Sequence, residues 1–157
     1  MAIRNVVLKD DELLRKHSRA VEVFDKKLWQ LLDDMAETMY ENEGVGLAAP
    51  QVGILRRVVV VDVGNGLIEL INPEIVESSG EQKDYEGCLS CPGDRAIVKR
   101  PNFVTVKAQD RKGKSFTIKG EELLARAFCH EIDHLDGKMY TDLVEGELHR
   151  TSYDEEE

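Results

Sequence analysis

Positive charge is scarce in this 157-residue chain: 21 Lys and Arg face 31 Asp and Glu, a formal net charge of −10. A polyanion is repelled by such a field, so direct nucleic-acid binding is not expected. Long apolar runs are missing as well. The longest is Val58 to Val61, far short of the ~20 residues that span a bilayer, and MAIRNVVLKD at the start lacks the apolar core of a secretion signal. No membrane partner is expected, and the chain is assigned to a cytoplasm. Cysteines number only three, which argues against a disulfide framework and for metal or thiol chemistry.

What is present fits one α+β domain over residues 1–140, followed by an acidic tail at 141–157. Phe24, Leu28, Leu31, Leu32, Met35 and Met39 recur at helical spacing, so an N-terminal amphipathic helix is predicted, with Asp25 as N-cap and Gly44 as stop. GVGLAAPQVG then reads as a packed loop or irregular edge strand. RRVVVVDV and LIELI flank Gly64-Asn65-Gly66 as a hairpin. Further strands are expected at Glu74–Glu77, Ala96–Lys99, Val104–Ala108 and Ser115–Lys119. The helical period returns from Glu121 to Leu135, with two acids in the first turn and Gly137 beyond the end. Antiparallel or mixed strands around this C-terminal helix make the fold class.

The chemical signal is His130-Glu131-Ile132-Asp133-His134 on that helix. At ~100° per residue the two histidines project ~40° apart and one turn apart, so both imidazoles can reach one metal ion. Glu131 falls ~60° from His134, near enough to act on a water as general base without entering the coordination shell. A separate stripe of Leu124, Phe128, Ile132 and Leu135 serves the core. Two histidines leave the site incomplete, and Cys88, Cys91, Cys129, Glu145 and Glu147 are the candidates for a third ligand. Cys129 reads as a small buried residue, whereas Cys88 and Cys91 form a C-x-x-C.

Three blocks, GVGLAAPQ at 44–51, EGCLS at 86–90 and HEIDH at 130–134, resemble the peptide deformylases, which remove the formyl group from the N-terminal formylmethionine of new polypeptides. The likeness runs from about Leu14 to Tyr140. It implies that Cys88, His130 and His134 hold the metal, that Glu131 is the base, and that Gln51 and the Leu89 backbone amide are oxyanion donors. It implies one Fe²⁺ per chain, replaceable by Zn²⁺, Ni²⁺ or Co²⁺, and a bacterial cytoplasm with transient proximity to the ribosome. Gly44, Val45 and Gly46 are expected to bind the substrate backbone and side chain, together with Glu86, Leu123 and Ala127. Arg126 is expected to be solvent-exposed, and Glu43, Arg95, Arg100 and Asp133 to pair around the site. Cys91 and Cys129 depart from the family's usual residues. So does the tail: Asp142 to Glu157 carries seven acids and one arginine, and it cannot dock by charge as the basic C-terminal helix of some members does. Two rivals stand beside this reading: a zincin-type peptidase using Glu147 as third ligand, and a structural zinc module closed by Cys91.

Overall fold

The computed structural model describes residues 2–150. Strands β1 (Gly46–Ala48), β2 (Val58–Val61) and β3 (Ile68–Ser79) are followed by β4 (Gln82–Cys88), β5 (Cys91–Arg100), β6 (Phe103–Gln109), β7 (Ser115–Glu121) and β8 (Val144–Arg150). Helices α1 (Lys26–Glu41) and α2 (Leu123–Leu135) complete the frame. A five-stranded sheet runs β1-β2-β3-β6-β7 and a three-stranded sheet runs β4-β5-β8. Every strand pairing in them is antiparallel.

The four valines of β2 explain the layering. Val58 and Val60 join a core with α1 residues Leu28, Leu31, Leu32, Met35 and Met39. Val59 and Val61 point the other way, into a core with Phe128, Ile132 and Leu135 of α2. Strand side chains alternate between faces, so a strand covered by a helix on each side must be apolar throughout. Full burial of each such side chain contributes roughly 1.5–3 kcal/mol. A third core, with Leu14, Ala96, Val98, Met139 and Tyr140, underlies the smaller sheet.

Asp25 caps α1 by accepting from Leu28 N–H. The helix stops at Asn42, and the left-handed residue is Glu43 (φ 56°), not Gly44, whose N–H bonds Met39 O at 2.9 Å. The expected strands at 67–71 and 74–77 are one strand, Ile68–Ser79, bulged at Asn72 (φ 52°), with the Asn72 amide held by Val21 and Gln109. α2 carries no acid in its first turn, since Glu121 ends β7 and Glu122 takes the cap position with φ 56°. Gly137 (φ 74°) follows it, pressed against the Arg15 backbone. Within the expected tail, Val144–Arg150 pairs as an antiparallel strand with β5, Asp94 opposite Arg150. Thr151–Glu157, the rest of the anticipated tail, lies outside the described residues. Among the described residues no helix is long and apolar enough to cross a membrane.

Candidate metal centre

The end of β4 meets the middle of α2. Cys88 closes β4 beside the two-residue turn Leu89-Ser90, and His130 and His134 project one turn apart from α2. His134 Nε2 lies 3.3 Å from Cys88 Sγ and 3.2 Å from His130 Nε2, and the three donor atoms all fall within 4.8 Å of one another. Both histidines are buried, and Cys88 is half-buried.

This donor set fits a metal ion. The nitrogen–nitrogen separation is close to the ~3.3 Å edge of a tetrahedron with ~2.05 Å metal–nitrogen bonds. One thiolate and two imidazoles suit Fe²⁺, Co²⁺, Ni²⁺ or Zn²⁺ and not the oxygen-seeking Mg²⁺ or Ca²⁺. Three protein donors are the complement of a site with one open position. Cys91, which the closed-module rival requires, is not in the converging set. Pro92 and Gly93 continue β5, and Cys91 stands opposite Cys88 in the β4–β5 ladder.

Glu86, expected among the substrate-binding residues, is instead enclosed next to the histidines. Its carboxylate accepts from His130 Nδ1 at 2.6 Å, from Arg100 Nε and Nη2 at 3.0 and 2.7 Å, and from Arg126 Nη1 at 2.6 Å. Burial pushes its pKa up, but the bonds to His130 and Arg100 outweigh this and bring it down to about 2. An anion there fixes the Nδ1–H tautomer of His130 and leaves the Nε2 lone pair for a metal. Arg126, expected in solvent, is buried and also donates to Val98 O at 3.0 Å. Its signal in the sequence is the i, i+4 relation to His130, which sets the two on one helix face. Arg100 pairs with Asp133 at 2.7 Å as anticipated. Arg95 does not join them; its guanidinium lies over the Tyr85 ring. The Tyr140 ring stacks on His130 at 5.8 Å, a contact that sequence spacing did not announce.

Glu131 is buried, with Oε1 lacking a hydrogen-bond partner and Oε2 3.9 Å from His130 Nε2. Burial is the main reason its carboxyl is raised to about 7, a value at which it can both take and release a proton near neutrality. His134 is lowered well below the usual histidine range, first by burial and then by His130, which keeps it neutral. The hydrogen bond with Cys91, then burial and the Glu131 charge, hold the Cys88 thiol above the cysteine range, so a cation seated here displaces its proton on binding.

Gly46 allows this arrangement: a Cβ on it would lie 2.6 Å from Glu131 Oε2. A Cβ on Gly44 would lie 2.8 Å from Leu89 Cδ1. Gln51 is buried; its Oε1 accepts from Ala48 N–H at 3.0 Å, and its Nε2 stands 3.3 Å from Cys88 Sγ and 3.1 Å from Ser90 Oγ. A cleft of about 510 Å³ opens over Cys88, His130 and Glu131, lined also by Glu43, Gly44, Val45, Gly46 and Leu89. It runs between β1 and β4, which are edge strands of the two sheets. Leu123 and Ala127 are not among its lining residues: Leu123 is exposed at the start of α2 and Ala127 is buried against the large sheet.

Residues 3–149 match the family model for polypeptide deformylase. The peptide deformylase of Acetivibrio thermocellus is 62% identical over 144 residues, 92% of this chain and 85% of that protein. The crystal structure of a peptide deformylase from Legionella pneumophila is similar at a TM-score of 0.89 and 50% identity, covering 92% of this chain and 87% of that one. The Thermotoga maritima peptide deformylase gives a TM-score of 0.91 at 40% identity, covering 93% and 100%. A match of this length and identity is decisive where a motif alone is not: the chain belongs to the polypeptide deformylase family, metal-dependent hydrolases that remove the N-formyl group from nascent polypeptides.

Proposed function

We propose that this chain hydrolyses the formamide of N-formylmethionyl nascent chains with Cys88, His130 and His134 as metal ligands and Glu131 as general acid and base. The observation that carries it is the meeting of three converging donor atoms with a buried, uncommitted carboxyl raised to about 7. A divalent metal held there supplies Lewis acidity, making water nucleophilic near neutral pH and polarising a carbonyl. Fe²⁺ is the native ion, with Zn²⁺, Ni²⁺ and Co²⁺ as replacements, since all accept a thiolate and two imidazoles.

The protein's own groups do the rest. Glu131 takes a proton from the attacking water and delivers one to the departing α-amine, so products are formate and a free amino terminus. Negative charge gathers on the formyl oxygen during attack. Gln51 Nε2–H, held beside Cys88, and the Leu89 N–H, at a turn outside both strands, are the donors that meet it. Losing one such donor typically costs ~2.7–4 kcal/mol of barrier. The edges of β1 and β4 let an extended peptide lie in the cleft as an added strand, with the methionine side chain near Val45, which is exposed there. The working place is a bacterial cytoplasm, with the ribosome as a transient neighbour.

Formate release from a formyl-Met peptide, with metal content measured on protein prepared without oxygen, tests this. Glu131→Gln is expected to keep one metal per chain and lose most turnover. Near wild-type turnover in that variant ends the assigned role, and absence of metal in the wild type ends the ligand set.

A further inference from the structure

The mechanism leaves one conspicuous side chain unused. Cys91 stands directly opposite Cys88 in the β4–β5 ladder, across the two-residue turn Leu89-Ser90. Opposed residues of an antiparallel pair have Cα atoms ~4.5–5.5 Å apart and side chains on one face, inside the ~4.4–6.8 Å of disulfides. Both cysteines line the open cleft; Cys88 is half-buried and reachable by a small oxidant, while Cys91 is 1% exposed. The third thiol, Cys129, is buried on α2 in a different core cluster.

We propose that Cys91 is a resolving cysteine, which captures Cys88 as a reversible Cys88–Cys91 disulfide when a hydroperoxide oxidises that ligand sulfur. In the first step Cys88 sulfur attacks the peroxide; the O–O bond breaks, the sulfur gains OH, and its proton leaves with the other oxygen as water or alcohol. In the second, Cys91 sulfur attacks Cys88 sulfur, the S–O bond breaks, and the hydroxyl departs with the Cys91 proton as water. Two thiols are oxidised by two electrons and one peroxide is reduced. The disulfide withdraws a metal ligand, so loading stops, but it also keeps Cys88 off the irreversible sulfinic and sulfonic steps. The ring spans only a short turn and gains little from chain constraint, so thiol reductants reopen it. A metal on Cys88 occupies the same sulfur and protects it. The consequence for loading rests on the ligand role proposed for Cys88; the disulfide does not.

Full-length protein stripped by a chelator is treated with one equivalent of hydrogen peroxide, then mapped by mass spectrometry, titrated for thiols and offered Ni²⁺. The wild type is expected to lose about 2 Da, to fall from three thiols to one, to yield a linked Cys88–Cys91 peptide, and to refuse Ni²⁺ until treated with dithiothreitol. Cys91→Ser given three equivalents is expected to gain roughly 32 or 48 Da on Cys88, with Ni²⁺ uptake not restored, and Ni²⁺-loaded wild type to keep all its thiols. Oxygen adducts on wild-type Cys88 without the link, or a link to Cys129, overturn the proposal, and the wild-type map decides this whatever the variant's folding. If untreated protein takes up no Ni²⁺, it is the metal-site reading that fails, while the peptide map still decides the disulfide.

Discussion

Replacing Gly46 by Ala separates two roles for that glycine. The added Cβ would stand 2.6, 2.8 and 3.0 Å from Oε2, Cγ and Cδ of Glu131. Overpacking of this kind costs about 1–3 kcal/mol. The lower end applies, because the obstructing atoms belong to a side chain that can turn about its own bonds, and melting should fall by only ~2–5 °C in a domain of this size. The carboxylate itself must move by about 1 Å, and misplacing a reacting group by that much costs ~10²-fold in rate. The expected outcome is therefore a near-normal melt, full metal content, an unchanged KM and a kcat for formate release down by roughly two orders of magnitude. The double variant with Glu131→Gln makes the reasoning strict, since a change that acts through Glu131 adds little once that carboxylate is gone. If Gly46→Ala still lowers kcat/KM about 10²-fold in the Glu131→Gln background, or raises KM alone, the glycine serves the substrate backbone and the steric argument is refuted.

Cys88→Ser should lose metal and activity, whereas Cys91→Ser should keep one metal per chain and turn over near the original rate; equal damage in metal analysis and melts would favour a closed four-ligand site. Arg126→Met removes a 2.6 Å bond to the buried Glu86; breaking a buried pair costs about 3–5 kcal/mol, and metal affinity should drop ~10–100-fold through the loosened His130, as a competition titration with a chelator would read. Asp34 is buried, which pushes its pKa up, but bonds from Gln30, the Ala2 N–H and Arg4 hold it below the ordinary value. A carboxyl depressed in the folded state adds stability above its unfolded value of about 3.9 and loses it as pH falls through the folded one. Melts from pH 7 to pH 2 should thus steepen below about pH 4 in the wild type and less so in Asp34→Asn; identical profiles would exclude Asp34 as a contributor.

Helices and site were legible for a common reason: their residues face one constraint at a time. The α1 stripe and the β2 valines answer only to burial, and the i, i+4 spacing of His130 and His134 answers to the ligand geometry of one helical turn. β4 was hidden because QKDYEGC is an edge strand with a single fully buried residue, Glu86, so neither alternation nor apolarity marks it. LIELI and Glu74–Glu77 read as two strands because Pro73 stands between them, while in the fold the Asn72 bulge absorbs it. The acids of VEGELHR read as solvated tail, yet backbone pairing with β5 asks nothing of side-chain polarity. Arg126 was assigned to solvent because the anion that draws it inward, Glu86, is 40 residues away, a distance no local pattern encodes.

The donor atoms come from two different layers, Cys88 from the three-stranded sheet and the histidines from the helix covering the five-stranded one. A cation bound to all three is thus a rivet across the seam between the two sheets. Its loss should be felt mechanically as well as chemically: β4 and β5 would exchange their amide hydrogens sooner after chelation, while β2, held between two helices, would not notice.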